Sequence, residues 1–208
     1  MKRHLLAAAL ALLAGAAPSP AAVVFDNGAP DLVNALEMTG WILAEDFTLA
    51  ALTNISGVVF WALESPTTYQ GSFSWAIHAN NAGTPSAALQ NGTGLAVTRE
   101  STGRSAFGLS EYKYTFGIAP TNLAAGSYWL ALHNGPLTTT IPTGFYWGTA
   151  PTVNGARARM DEAPFEGAFT ATTRELAYQL TTVPEPGVST ALLGGLTLLG
   201  GMYRGRRS

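Results

Sequence analysis

Ser72-Phe73-Ser74-Trp75-Ala76-Ile77-His78 alternates between large apolar side chains and small or polar ones. Successive side chains of a β-strand point to opposite faces, so residues two apart share a face. The stretch therefore predicts a strand with Phe73, Trp75 and Ile77 on one buried face.

Similar strand-like runs recur along the chain and are separated by short turn signals rich in Gly, Asn and Pro. The further runs are 58–63, 112–118, 127–133, 145–147 and 176–180. Frequent short strands of this kind predict an all-β fold, an antiparallel β-sandwich or jelly roll, for residues 23–182. Only residues 31–38 are compatible with a short turn of helix.

The composition narrows the chemistry available to the 208 residues. The chain has no cysteine, which excludes a disulfide framework, a Cys-ligated zinc and a thiol nucleophile. Charged residues make up only 12%, well below about 25% in typical soluble domains. Low charge with abundant Gly is typical of an extracellular β-protein.

The charge is distributed unevenly along the chain. Two basic residues lie at the start and three at the end, while the body carries six basic and 13 acidic residues, a balance of −7. Because phosphate contacts need clustered Lys and Arg, we expect no nucleic-acid partner.

Residues 1–22 have the three parts of a secretory signal peptide. Lys2 and Arg3 precede an apolar run over 5–17, and small residues then surround a cleavage position at Ala21 or Ala22. The run is too short for a comfortable membrane span. We therefore expect an N-terminal signal helix and export of the body.

The C-terminal residues predict a single transmembrane helix. Residues 187–203 carry no charge, and Arg204, Arg206 and Arg207 follow directly. By the positive-inside rule the Arg cluster stays cytoplasmic as a stop-transfer signal and the body lies outside. This topology agrees with the signal peptide.

The residues before this span change its meaning. Val183-Pro184-Glu185-Pro186 is a stiff, extended stretch because each Pro fixes φ and biases its predecessor away from helix. Motif, apolar helix and Arg cluster over 183–208 resemble the PEP-CTERM sorting signal. The resemblance implies recognition of Pro184, Glu185 and Pro186 by exosortase, a membrane-embedded cysteine protease that cleaves near the motif. The alternative is an ordinary anchored protein with a coincidental Pro-Glu-Pro linker.

Parts of the body are also similar to secreted proteins that carry such tails. The similar stretches are Glu37-Met38-Thr39-Gly40-Trp41, residues 44–47 and Leu132-His133-Asn134-Gly135-Pro136. This resemblance implies a β-sandwich and brings no assigned activity.

His78 and His133 are the histidines of the body, and each lies at the end of a strand-like run. Two histidines and a carboxylate suffice for a metal, but neither His-x-His nor His-Glu-x-x-His spacing occurs. We interpret both as strand-end residues that bind loop backbone.

Paired carboxylates occur at Glu45-Asp46 and at Asp161-Glu162. A glycoside hydrolase needs two carboxyls about 5–10 Å apart across a cleft, and the sequence does not bring these pairs together. A structural calcium ion is an alternative, because hard oxygen ligands at strand ends suit that ion. The weak calcium ligands are Asp26, Asn27, Asp46 and Asp161.

Aromatic residues point to sugar binding, since an exposed Trp or Tyr ring stacks on the C–H face of a pyranose. Trp129 and Tyr146 are the better carbohydrate-binding residues because their strand neighbours face the opposite way. The alternative is that both belong to the core, where most large aromatics lie.

We therefore expect an exported, non-enzymatic protein of the envelope or exopolysaccharide matrix in a Gram-negative bacterium. It is anchored in the inner membrane with its body in the periplasm until an exosortase processes it. Nucleophile elbows, phosphate loops and dinucleotide fingerprints are absent from the sequence, and no cofactor is expected beyond a possible calcium. The alternatives are a carbohydrate-binding module that takes exopolysaccharide and a weak glycoside hydrolase or lyase.

Overall fold

The computed structural model describes residues 21–151, 154–162 and 165–182, and their regular secondary structure is entirely β-strand. Residues Val23–Thr182 form one compact unit. None of the described residues belongs to a helix with the length and hydropathy that a membrane crossing requires. The strands are β1 (Ala22–Asp26), β2 (Ala35–Glu37), β3 (Trp41–Leu49), β4 (Thr53–Glu64), β5 (Phe73–Asn80), β6 (Pro85–Thr93), β7 (Leu95–Ala106), β8 (Leu109–Leu123), β9 (Gly126–Asn134), β10 (Phe145–Ala150), β11 (Arg159–Glu162), β12 (Thr170–Ala171), β13 (Glu175–Leu176) and β14 (Tyr178–Thr182).

The strands form two antiparallel sheets, which confirms the all-β, sandwich-like prediction. Sheet 1 has eight strands around β4, which pairs with β8 on one side and with β14 and β10 on the other. Sheet 2 has six strands in the order β12-β11-β3-β9-β5-β6. Strands β3, β9 and β5 thus form the middle of sheet 2.

The alternating stretch 72–78 becomes β5, and its predicted face is buried. Phe73, Trp75 and Ile77 are at most 3% exposed and belong to one apolar cluster with residues of both sheets. Ser74, Ala76 and His78 point to the other face of sheet 2 and are half-buried. One face of β5 therefore holds the sandwich together, and the other face belongs to the outside of sheet 2.

Phe73 lies at the centre of an aromatic cluster between the sheets. Its ring centroid is 5.0–5.8 Å from those of five other rings. The rings are Phe60, Tyr69, Tyr114, Phe116 and Phe145. Edge-to-face and offset contacts at such distances add stability beyond the apolar area that they bury.

The chain passes from sheet 2 to sheet 1 at Gly94, which separates β6 from β7. A Cβ at this position would lie 2.8 Å from the ring of Phe116, so the close approach requires glycine. The two strands on either side are largely exposed and polar. Their sequences lack an apolar face, which is why sequence patterning does not predict them.

The turn of helix expected at residues 31–38 is wrong. Residues 35–37 form β2, which pairs with β10 through Leu36 and Trp147. Pairing with an existing sheet outweighs local propensity in so short a segment. Ala21 and Ala22 are exposed and Ala22 begins β1, whereas the rest of the predicted signal peptide and the whole sorting signal lie outside the described residues.

We expect Phe73→Ala to lower the free energy of unfolding by about 3–5 kcal/mol, because it leaves a cavity among five rings. Phe107→Ala is the matched control, since the Phe107 side chain is 68% exposed and its loss should change stability by less than about 0.5 kcal/mol. Urea unfolding followed by tryptophan fluorescence measures both. Equal effects of the two substitutions would contradict the central place of Phe73 in the core.

Candidate functional site

The outer face of sheet 2 brings small side chains together in its middle. Ala44 on β3 is opposite Ala131 on β9, and Ala131 is opposite Ala76 on β5. Asn91 on β6 continues this row beyond Ala76. Because neighbouring cross-strand side chains lie about 5 Å apart, the row of alanines forms a shallow trough across the sheet.

Larger polar side chains lie on either side of this row. His133, Ser74 and Thr93 form one flanking row on β9, β5 and β6. Trp129 and His78 form the other on β9 and β5. The alanine row is therefore a floor between two walls.

A cavity of about 430 Å³ occupies this trough, and we call it the groove. Such a volume lies in the range of about 300–1,000 Å³ that is usual for small-molecule sites. Its floor includes Ala76 and Ala131. The polar side chains that line it are Ser74, His78, Asn91, Thr93, His133 and Asp161.

Residues 165–169 border the groove. Phe165 meets the ring of His133 edge-on at 5.1 Å, and Phe169 meets the ring of His78 in the same way at 5.5 Å. Asp161 Oδ2 accepts a hydrogen bond of 2.8 Å from the Gly167 amide and so fixes the segment to β11. The groove thus has aromatic edges in addition to its polar walls.

The two histidines of the body line the same groove, which their separation in the sequence does not reveal. Nδ1 of His133 faces Gly135 O at 3.0 Å, and Nε2 faces Thr39 O and Thr139 O at 2.9 and 3.0 Å. Both nitrogens are engaged by loop backbone, as expected for a strand-end histidine. His78 also binds backbone, because its Nδ1 donates to Ser86 O at 2.8 Å. In the neutral ring, Nε2 of His78 is then an acceptor.

Trp129 does not provide the exposed platform that the sequence predicts. Its side chain faces away from the main core but is completely buried under Ala156, Phe169 and neighbouring residues. Its Nε1 donates to Asn80 Oδ1 at 2.9 Å, and the Arg159 guanidinium lies 5.9 Å from the ring centroid. The covering residues 154–158 and 165–169 are mostly small or polar, so the sequence does not mark them as a second apolar layer.

Tyr146 is half-buried and faces away from the core, whereas its neighbours Phe145 and Trp147 are fully buried. It lines a different cavity, of about 440 Å³, on sheet 1. Exposed Val33 and Phe107 line the same cavity. Trp129 and Tyr146 therefore do not form one site, and sugar stacking on Tyr146 stays a prediction.

The four calcium-ligand candidates do not all meet at one site, although Asn27 and Asp46 both lie near Glu175. Asp26 is exposed and binds the Gly28 amide and the Gln179 side chain, while Asp161 lies in the groove. Asn27 is buried and donates to Leu176 O. Within the described ranges, no three His, Cys, Asp or Glu side chains are arranged to hold a metal. Calcium binding stays a prediction.

Asp46 instead belongs to a group of acids at the side of the sandwich. Its Oδ2 accepts a hydrogen bond from the Ala156 amide at 3.1 Å, and Gly155 packs so closely on the carboxylate that a Cβ there would collide with it. Burial raises the pKa of Asp46. Burial likewise raises the pKa of Glu175, with a further contribution from the charge of Asp46.

Glu45 points the other way, into the main core between Leu43 and Phe47. Its Oε2 accepts a short hydrogen bond of 2.6 Å from the Leu176 amide. Burial, together with the charge of Glu175, raises the pKa of Glu45 from 4.5 to about 10. The side chain is therefore a neutral acid at physiological pH.

The acids considered for glycoside hydrolysis do not face one cleft. Glu45 and Asp161 lie on opposite faces of sheet 2. Asp161 is opposite Ile42, four residues from Asp46 along β3, which separates the backbone positions of the two acids by about 13 Å. The two-carboxyl mechanism requires carboxyl groups about 5–10 Å apart across one cleft, and Asp46 does not line the groove that holds Asp161.

Two of the stretches that resemble other tailed proteins, residues 37–41 and 132–136, meet at one end of the sandwich and bind backbone there. Asn134 Nδ2 donates to Thr39 Oγ1 and to Thr68 O, and its Oδ1 accepts from the Gln70 amide. The Glu37 carboxylate accepts from three backbone amides, those of residues 39, 40 and 143. These residues hold loops together beside the groove.

Two comparisons with known proteins were negative. No protein-family model matches the chain, and no curated protein matches it. Support for a function comes from the side chains of the groove.

We expect the stability of the protein to fall as the pH rises from about 5 to about 9. The folded state keeps a proton on Glu45 that the unfolded chain releases above about pH 4.5, so the unfolded state gains stability with pH. In Glu45→Gln the side chain is neutral at every pH and still accepts from Leu176. We expect this variant to be more stable than the wild type by at least about 1 kcal/mol at pH 8, with little difference near pH 4.5.

Chemical unfolding at several pH values measures this effect. Glu100→Gln is the control, since Glu100 is exposed on β7 and its loss should leave the pH profile unchanged. A Glu45→Gln profile as steep as that of the wild type would mean that Glu45 is ionised in the folded protein.

Proposed function

We propose that this protein is an exported, non-enzymatic component of the bacterial envelope or its polysaccharide matrix, and that its body binds carbohydrate in the groove. The observation that supports sugar binding is the groove itself. Polar side chains from several strands and two phenylalanine rings surround a floor of alanines in a cavity of about 430 Å³.

The lining offers the chemistry that a sugar needs. Asn91 and the Thr93 hydroxyl each provide a donor and an acceptor, whereas Ser74 Oγ donates to Gly135 O at 2.9 Å and offers the ligand an acceptor. His78 Nε2 adds an acceptor in the neutral ring. Phe165 and Phe169 supply apolar surface that can meet the C–H face of a pyranose. The lining therefore offers both donors and acceptors to the hydroxyls of a sugar. The small alanine side chains of the floor leave room for the sugar ring.

The proposal of export rests on the terminal segments. A signal peptide over 1–22 and an Arg cluster after an apolar helix give one consistent topology, with the body outside. Pro184, Glu185 and Pro186 are the residues that an exosortase would recognise. The predicted apolar helix would then anchor the chain temporarily in the inner membrane. An exopolysaccharide is the expected partner of the released body.

Ala76→Phe is the sharpest test of the groove, because it places a ring on the floor without removing any polar partner. We expect this variant to lose at least about 10-fold in affinity for glycans that bind the wild type, which is about 1.4 kcal/mol. Ala87→Phe is the matched control, since Ala87 is exposed on β6 and does not line the groove. Binding is measured on a glycan array and by calorimetry with the full chain purified in detergent.

Thermal unfolding of both variants separates a lost site from a lost fold. Unchanged binding in a folded Ala76→Phe variant would remove the groove as the site. A wild-type protein that binds no glycan of the array would remove carbohydrate binding as the function.

Mass spectrometry of the chain in a host with an active exosortase tests the sorting proposal. We expect a mature protein that begins after Ala21 or Ala22 and has lost the Arg cluster. Replacing Pro184, Glu185 and Pro186 by Ala should leave the C-terminus intact, while the same replacement of Thr181 and Thr182 should not. A wild-type chain that still ends at Ser208 would contradict the proposal.

A further inference from the structure

The carboxylate of Asp161 makes one end of the groove electrostatically negative. Among the described residues that line it, Asp161 carries the one carboxylate, and no Lys or Arg is present. A ligand in the groove therefore meets the Asp161 carboxylate with no Lys or Arg side chain in the described lining, and the ring nitrogens of His133 are turned to backbone carbonyls.

A second cavity adjoins the groove at Asp161 and strengthens this character. Its volume is about 330 Å³, and Glu162 and Glu166 line it together with Asp161 and Trp41. None of the described residues that line this cavity is basic either. Asp161 thus lines both cavities, and the carboxylates of Glu162 and Glu166 lie in the cavity next to the groove.

Asp161 is held in place more firmly than a surface acid. Its side chain is only 3% exposed, and Oδ2 accepts the Gly167 amide at 2.8 Å. A carboxylate fixed in this way loses little conformational entropy when it receives a ligand, and its burial strengthens its attraction for a cation. Oδ1 has no hydrogen-bond partner among the described residues.

Arg159, the basic residue on β11, interacts with groups outside both cavities. Arg159 Nη2 donates to Gly83 O at 2.6 Å, and its guanidinium lies over the Trp129 ring. It lines neither cavity. Its guanidinium is therefore held at Gly83 and Trp129 rather than in either cavity.

From these observations we infer that the groove selects cationic amino sugars, with the ammonium group of a glucosamine unit on the Asp161 carboxylate. This inference rests on the proposed carbohydrate-binding function and names its ligand class. The sugar ring lies over Ala76 and Ala131, and the neighbouring units of the chain extend past Glu162 and Glu166. Uronic acids are repelled by the same carboxylates, and N-acetylation removes the charge that they attract.

Calorimetry with three probes on the full chain in detergent tests the inference. The probes are a β-1,4-linked tetramer of glucosamine, its fully N-acetylated counterpart and a tetramer of galacturonic acid. At about pH 5.5 the free amines are charged. We expect the glucosamine tetramer to bind at least about 10-fold more tightly than the N-acetylated tetramer, and the uronic acid tetramer to bind more weakly than either.

Asp161→Asn should reduce the preference for the free amine over the N-acetylated tetramer to within about 2-fold. If Asp161→Asn does not fold, a double variant with Glu162→Gln and Glu166→Gln is used instead, since both residues are exposed. Its preference for the free amine should be about 3-fold lower than that of the wild type. Glu100→Gln is the control for general surface charge, because Glu100 lies on β7 in sheet 1.

The outcomes separate this inference from the proposed function. Equal binding of the charged and N-acetylated tetramers overturns the inference and leaves carbohydrate binding in place. A loss of preference in Glu100→Gln as large as that in the Glu162 and Glu166 variant also overturns it, because the attraction then belongs to the whole surface. A protein that binds none of the three probes and no glycan of the array overturns both.

Discussion

The contact of Phe73 with the rings of sheet 1 fixes how the two sheets face each other. Phe73 projects from β5 in the middle of sheet 2, and Phe60, Tyr114 and Phe116 project from β4 and β8 to meet it. Because side chains alternate along a strand, every inward residue on β5 that joins this cluster sends its neighbour to the outer face. The packing of the core therefore also decides which residues of sheet 2 are available for a site.

Sheet 2 is unusual in having apolar residues to bury on both faces. Its inner face packs on sheet 1, while Ala44, Ala131 and Trp129 on the outer face need a cover of their own. The segment after β10 supplies Ala156 and Phe169 for this purpose but covers only part of the sheet. The groove is the uncovered remainder, so its floor is apolar and small while its edges are polar.

Buried polar groups in this protein mostly serve the fold. Asn134 and Glu37 bind the backbone of several loops at one end of the sandwich, and His133 engages carbonyls with both ring nitrogens. Buried donors and acceptors without partners would be destabilising by about 1–3 kcal/mol each, which explains the close pairing. Glu45 avoids the cost of a buried negative charge, because burial raises its pKa and the side chain keeps its proton.

The sequence by itself determined the all-β class, the buried face of β5 and the outward direction of Tyr146, because alternation is a local property of the chain. It also carries the whole case for the proposed export, since the predicted signal peptide and the predicted sorting motif are linear patterns. Only the tertiary structure decided that Trp129 is buried and that His78, His133 and Asp161 line one groove. Those relations depend on strand register and on a covering segment with no apolar periodicity, and neither can be derived from one stretch of sequence.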